Sequence, residues 1–550
     1  MSFERQCYWF CSDPLEGLNG ADEFFTVYYL FRIFKELNPR LFKRQSMGRP
    51  RIYTPEIMLP FVCWGHMNGI VSCRDLEKWW KRNDDTCNVL LDCKRPGKSS
   101  INEFLNKFGD LVDAFDVFIV EFGLRTGLMA GDVQYVDGTF LGGYCNDFKR
   151  LYRDQLYYLK DFILKFSGDR GDDGLWFKLK IHFEDEESGD ERNAIVEDLK
   201  KAVGSSGVHL LKRALRGDDC LEEVMLRINL MEDNLRRNSP VSVVDPEACS
   251  MLDKANVWGF NYNYQVAVDG RFGLISAHYV TQNSNDRREL LAMVGLLNER
   301  LGRDEYVVCA DNGYWHIESL HKLDSSPVAV VIPDHRAASK RKADLRKVND
   351  SGYYYHLSPF DVEREQFRFY NFSYYEDEDV FIGPYGCRLS NSGKTRFKYG
   401  IGYRAYSTDE CKACFHRVFC VAGRSRREIL VRDDSVLDRV NSVYCSSWGQ
   451  KIYSGRGWNV EGAFGVLLES RNFRGIKTRG LKRVGDEMTL CVITHNLKKV
   501  HRHMGVGVLK RILSEIHRVK KGGKRVDMGI FDNWEGRFIM EDDVIVDVEI

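Results

Sequence analysis

Two short β-type runs in this chain end alike, in an aspartate with glycine close behind. The first is Val133-Gln134-Tyr135-Val136-Asp137-Gly138-Thr139-Phe140. The second is Tyr306-Val307-Val308-Cys309-Ala310-Asp311, continued by Asn312-Gly313. Between them, Tyr262–Val268 and Leu274–Val280 flank the turn sequence Asp269-Gly270-Arg271-Phe272-Gly273, which reads as a hairpin. A helix is expected over Arg287–Leu301 and another strand over Val328–Ile332. The order strand, hairpin, helix, strand, strand describes an α/β sheet. The long polar stretches between these pieces must then be insertions.

The flanking text is different. Residues 1–128 read as a helical N-terminal domain. Thr54-Pro55 supplies an N-cap and a first-turn proline, and Ser72 with Asp75 and Ser100 with Glu103 have capping-box spacing. After Ser100, the residues Phe104, Phe108, Leu111, Phe115, Phe118 and Ile119 recur at helical spacing. Residues 151–249 read as a mainly helical insertion, and 336–449 as a basic, aromatic and then cysteine-containing one. A helix is expected near Val460, with Phe464, Leu467 and Leu468 on one face, and another from Glu487 through Val500. The sheet core would then be 129–150 with 250–335 and 450–505, and 506–550 a basic then acidic C-terminal segment. No apolar stretch is long enough to cross about 30 Å of hydrocarbon, and the first residues lack a secretory pattern. A cytoplasmic protein with no membrane partner is expected.

An acid at a strand end is most often a turn residue. An ordered set of three is a stronger signal: Asp137, Asp311, and Glu461 on the later helix. Loops at strand ends can converge side chains in one cleft, and carboxylate oxygen suits hard Mg²⁺ or Mn²⁺. Three such acids could hold two ions about 3.5–4 Å apart, the arrangement that activates one oxygen and stabilises another in phosphodiester chemistry.

The text around these acids resembles the DDE transposases of prokaryotic insertion sequences. Tyr135-Val136-Asp137-Gly138-Thr139, Cys309-Ala310-Asp311-Asn312-Gly313-Tyr314 and Val460-Glu461-Gly462-Ala463-Phe464-Gly465 carry the likeness. So do Arg471-Asn472-Phe473-Arg474-Gly475, Arg479-Gly480-Leu481 and His495-Asn496-Leu497-Lys498, while Gly48-Arg49-Pro50 through Tyr53 and Ser72–Leu76 resemble the helical domain before the core. The resemblance implies an RNase H-like mixed sheet flanked by helices. It also implies that Asp137, Asp311 and Glu461 are the catalytic metal-binding triad for Mg²⁺ or Mn²⁺. Tyr453 and Arg456 match DNA-contacting positions before the glutamate, although Arg456 stands five residues before Glu461 where the commonest form has four. The lysine expected seven residues after the glutamate is Leu468, a departure from the pattern. Glu487 is the alternative third acid.

Cys411-x2-Cys414-x5-Cys420, with Cys387 upstream, offers four thiols for a structural Zn²⁺, and His416 could replace one of them. The competing reading is a set of reduced, partly buried thiols.

Charge sums to zero, with 80 basic and 80 acidic residues, which alone would argue against a polyanionic partner. The distribution reverses that argument. Lys451–Arg525 holds 18 Lys/Arg against 5 Asp/Glu, whereas Val526–Ile550 holds 1 against 8. Arg471, Arg474, Lys477, Arg479, Lys482 and Arg483 follow the third acid directly and are candidates for phosphate contacts. Gly48-Arg49-Pro50-Arg51 resembles a minor-groove arm, with an interhelical loop as the plain alternative. No GxxxxGK[ST] loop, GxSxG elbow or HExxH pair is present. The expected function is therefore metal-dependent cleavage at element ends and strand transfer into target DNA. The enzyme would act as a homodimer on double-stranded DNA and associate with the nucleoid when bound. A non-catalytic DNA-binding derivative and an RNase H-like nuclease without strand transfer are the alternatives.

Overall fold

The computed structural model describes residues 22–42, 53–80, 96–168, 174–184, 190–235, 239–252, 256–334, 360–361, 366–367, 371–375, 377–398, 401–421, 425–432, 435–470, 475–523 and 525–531. The chain forms two compact units, residues 1–306 with 456–550, and residues 307–455.

The first unit opens with helices α1 (Asp22–Leu37), α2 (Pro55–Met67), α3 (Cys73–Trp80), α4 (Lys98–Lys107) and α5 (Gly109–Arg125). Thr54 caps α2 through its backbone position with Pro55 in the first turn, and the Ser72 hydroxyl accepts from Asp75 N (3.1 Å) as a capping box requires. The expected N-cap at Ser100 is three residues late: Gly97 is the N-cap, α4 begins at Lys98, and Glu103 pairs with Lys107 one turn on. Phe31, Phe34, Phe115 and Phe118 meet with ring centroids 5.2–5.5 Å apart across α1 and α5.

The sheet of this unit comprises β1 (Val133–Gly142), β2 (Arg150–Leu151), β3 (Val241–Ser242), β4 (Cys249–Leu252), β5 (Trp258–Asp269) and β6 (Ile275–Thr281). Strand β5 is its spine. It pairs antiparallel with β1 along one edge, where Asp137 faces Val266, and with β4 and β6 along the other. Between β2 and β3 lie α6 (Arg153–Phe166), α7 (Leu175–Glu184), α8 (Asp190–Ala214) and α9 (Asp218–Leu235). They share a separate apolar cluster around Leu156, Leu211, Val224 and Ile228. Helix α10 (Glu289–Leu301) follows β6.

In the second unit β7 (Val307–Ala310) and β8 (Ala329–Val331) pair in parallel across α11 (Ile317–Asp324). The two-residue strands β9 (Phe360–Asp361) and β10 (Gln366–Phe367) then pair antiparallel. An antiparallel meander follows: β11 (Ser373–Tyr375), β12 (Val380–Ile382), β13 (Arg388–Lys398), β14 (Ile401–Ser407) and β15 (Glu428–Arg432). Helix α12 (Arg417–Val421) interrupts the meander, and α13 (Ser435–Cys445) and α14 (Ser447–Ser454) close the unit. Mixed α/β architecture with a mixed sheet and a second sheet is consistent with an RNase H-like fold. Among the described residues, no helix is long and apolar enough to cross a membrane.

Back in the first unit, α15 (Leu481–His503) and α16 (Gly505–Lys521) complete the core begun by α1–α5. Leu490, Ile493, Leu497, Leu509 and Ile512 join the same apolar cluster as Phe24, Phe31 and Phe115. Polar residues of α15 are buried with them. Asn496 is fully buried, donating to Ile275 O (2.9 Å) and accepting from Ile275 N (2.8 Å), so one amide satisfies both backbone groups of a β6 residue. Replacing Asn496 with alanine should orphan both groups and cost about 1–3 kcal/mol, seen as a lower urea midpoint.

Candidate active site

Asp137 sits in the middle of β1 and is 7% exposed. Its Oδ1 accepts from Gly138 N at 2.9 Å, and its Oδ2 lies 2.7 Å from Arg456 Nη2. Both side chains are about nine-tenths buried, at 10% and 12% exposure. A carboxylate withdrawn this far from water requires a matching charge, and Arg456 supplies it across more than three hundred residues of sequence.

The adjoining glycine has its own cause. A Cβ at Gly138 would meet Gln265 Nε2 and come within 2.6 Å of Asp286 Oδ1. Those groups form a network in which Asp286 Oδ1 accepts from Gln265 Nε2 (2.6 Å) and Asn263 Nδ2 (2.8 Å). Any side chain at 138 would force apart hydrogen bonds that fix β5 to the loop before α10. Asp137-Gly138, expected to end the β-type run, thus lies inside β1, an acid beside the space its neighbours need.

Arg456 leads directly into Gly457–Glu461, which is π-helical rather than α-helical. One α turn, Gly462–Phe464, and a second π segment, Gly465–Ser470, follow. The α-helix expected from Phe464, Leu467 and Leu468 is replaced because Gly457, Gly462 and Gly465 weaken the 3.6-residue turn. A π turn bonds residue i to i+5, so positions five apart return to one face. The extra residue between Arg456 and Glu461 is absorbed in this way. Glu461 is exposed, and its Oε2 reaches back to 3.9 Å from where a Gly457 Cβ would stand. Trp458, on the same turn, is 89% exposed.

Asp311 belongs to the second unit. It follows β7, and its Oδ1 accepts from Gly313 N (2.7 Å), capping the single turn Asn312–Tyr314. Asn312 Nδ2 donates to Pro333 O at 3.1 Å, so the Asp-Asn-Gly sequence ties β7 to the exit of β8. Tyr453, also in that unit, packs edge-on against Tyr444 (5.2 Å, 86°).

Of the basic residues after Glu461, Arg471 and Arg474 lie outside the described residues, as does Gly48–Arg51. Lys477, Arg479 and Lys482 are exposed. Arg479 Nε donates to Tyr144 O (2.8 Å) and its guanidinium covers the Tyr144 ring. Glu487 has a different task from metal binding. Its carboxylate accepts from Lys477 N (2.9 Å), Thr478 N (3.0 Å) and Thr478 Oγ1 (2.7 Å). Burial pushes its pKa up, and those three donors pull the other way. It shapes the basic loop from behind, a role that a residue capable of opening a helix conceals in the sequence.

Cys387, Cys411, Cys414 and Cys420 line one cavity of about 380 Å³ in the second unit. Burial chiefly, and then the neighbouring cysteines, push the Cys420 thiol up to about 11 and the Cys387 thiol up as well. His416 is stacked flat on Tyr385 (3.7 Å, 7°). Among the described residues, no three His, Cys, Asp or Glu side chains are grouped closely enough to hold a metal ion. This includes both the thiols and the acids.

The site so built is a buried strand carboxylate opposite an arginine, on a mixed α/β scaffold. Residues 384–501 match a family model described as Transposase DDE domain, which supports a DDE transposase and the nuclease/transposase class. That span contains the four cysteines, Tyr453, Arg456 and Glu461, whereas Asp137 and Asp311 precede it. Neither a curated protein nor a solved structure matches the chain. Arg456→Ala should destabilise the protein by about 3–5 kcal/mol in urea unfolding, because it strands a buried carboxylate. Arg456→Ala combined with Asp137→Ala should recover part of that loss.

Proposed function

We propose that this chain is a metal-dependent transposase that cuts DNA at the ends of an insertion sequence and joins the freed strand to target DNA. The buried Asp137–Arg456 pair carries the reading. It places an acid from β1 against the segment that ends in Glu461, within the span that matches the transposase domain. By resemblance, Asp137, Asp311 and Glu461 would hold Mg²⁺ or Mn²⁺, two ions in all. Carboxylate oxygens are the appropriate hard donors, and the ions would have to share the Asp137 carboxylate with the Arg456 guanidinium. Ions bound there would supply the activated oxygen nucleophile and stabilise the leaving oxygen. The residues of the chain do the rest. Arg456 holds the Asp137 carboxylate ionised and oriented. Lys477, Arg479 and Lys482 draw the DNA backbone across the site, with Arg471, Arg474 and Tyr453 as further contacts. The helices before β1 are proposed to take part in binding the element's ends, and the active species is proposed to be a homodimer on DNA in the cytoplasm.

Leu468 in place of lysine favours a second reading, a DNA-binding derivative that no longer cuts. Cleavage of duplexes carrying the element ends separates the two. Asp137→Asn, which keeps a group opposite Arg456, should abolish Mg²⁺-dependent cleavage while DNA affinity stays within about twofold. Full cleavage by that variant would reject the assignment, and cleavage without joined product would leave the nuclease reading.

The same proposal gives the four thiols a structural Zn²⁺. They are the preferred soft donors, but they must close on the ion and lose their protons to hold it. Since burial raises the Cys387 and Cys420 thiols, zinc uptake should weaken as pH falls. Elemental analysis of protein made with zinc supplied should find one ion per chain, lost in Cys414→Ala. A metal-free preparation would refute this part.

A further inference from the structure

The missing lysine at 468 directs attention to other cations near the Arg456–Glu461 segment, and Lys499 of α15 stands out. Gly273 closes the β5–β6 turn in the left-handed region, at φ +72°. A Cβ there would lie 3.2 Å from Lys499 Nζ and 3.9 Å from Asn459 Oδ1, so the lysine ammonium crosses the turn beside the π-helical segment. Helix α15 is pinned in this position. His495 Nε2 bonds Gly273 O (2.8 Å), and the His503 ring stacks on Phe272 at 4.3 Å. His495, Lys499, Arg502 and His503 recur at helical spacing along the face that meets the hairpin.

The charges around Lys499 do not balance. Arg502 one turn on and Arg271 at the hairpin tip are both exposed cations, and Arg271 lies over the Phe272 ring. Asp269, the acid of the turn, is fully buried. It is committed to Ala130 N, Gly131 N, Gln134 Nε2 and Arg271 N at 2.7–3.2 Å. Among the described residues Lys499 has no hydrogen bond or ion pair. Burial first, and Arg502 second, hold its ammonium below the usual lysine range, with no carboxylate acting in the other direction. A half-buried ammonium beside another cation is costly, and an anion brought to it offsets that cost.

We infer that Lys499, with Arg502, binds a backbone phosphate of the DNA at the β5–β6 turn, in place of the lysine that position 468 lacks. This rests on the DNA reading given above. The site is built from α15 and the β5–β6 turn, whereas Asp137 lies on β1 and Arg456 before the π-helical turn, so Lys499 would contact DNA as a positioning residue.

The test uses the full chain and a short duplex of arbitrary sequence, with affinity measured by fluorescence anisotropy between about 50 and 200 mM salt. Lys499→Met should reduce the slope of log K against log salt by about 0.9, the share of one phosphate. Lys499→Arg should restore it, and Lys107→Ala, which removes an exposed lysine paired with Glu103, should leave it unchanged. The melting temperature of DNA-free Lys499→Met should equal or exceed that of the wild type, because an uncompensated charge has gone. A slope matching the wild type overturns the inference. So does a loss accompanied by a lower melting temperature that arginine does not rescue. If the wild type itself does not bind the duplex, the proposed function fails, and this inference with it.

Discussion

A carboxylate that is nearly sealed from water must meet a positive charge, and Asp137 meets Arg456. Much of the first unit can be read as the apparatus that makes this meeting accurate. Strand β5 holds β1 in register along nine residue pairs. The polar network beyond Gly138 keeps β5 and the loop before α10 in place on the other side. On the arginine side, the chain re-enters the unit at residue 456 and continues through the π-helical turns into α15, whose Asn496 and His495 grip β6 and the hairpin. An error in any of these would separate two charges that are expensive to leave alone.

The strands were the legible part. Alternation and turn chemistry located β1, the β5–β6 hairpin, β7 and β8 within a residue or two at most ends, because these elements are short, apolar and bounded by glycine and aspartate. Strand β5 begins earlier, at Trp258, where its first residues pair with β4, and no local signal announces a two-sided edge. The apolar period near Val460 was also real, but period alone cannot distinguish an α turn from a π turn when glycines relieve the packing that would decide. The tasks of Glu487 and Asn496 were hidden for a related reason. In sequence they look like the solvated side of a helix, yet α15 is buried on nearly every side, and its polar groups serve backbone atoms and turns far away in the chain.

The candidate site divides along the same lines. The acids were read as a set from their residue types and order, and in the structure Asp137 lies on β1, Glu461 ends a π-helical turn and Asp311 follows β7 in the second unit. The partner of Asp137 was recognisable only as a motif residue, since nothing local to Arg456 says which acid it faces. The second unit shows the limit from the other side. The spacing of Cys411, Cys414 and Cys420, with Cys387 upstream, suggested one set of thiols, and the fold lines a single cavity with all four. The raised pKa values of Cys387 and Cys420 come chiefly from burial, which no spacing rule contains.

One feature of the core bears on how such a chain is made. Helix α1 packs against α16, where Lys520 Nζ reaches Glu36 Oε2 at 2.6 Å, and Thr26 Oγ1 lies 2.8 Å from His501 Nδ1 on α15. These partners are 484 and 475 residues apart. During synthesis the first helices leave the ribosome long before α15 and α16, so the part of their apolar surface that these two helices cover stays open until nearly the whole chain has been translated. Contacts of such long range slow folding, and they make the first core a checkpoint for length. A chain cut short before α15 lacks the residues that complete this core.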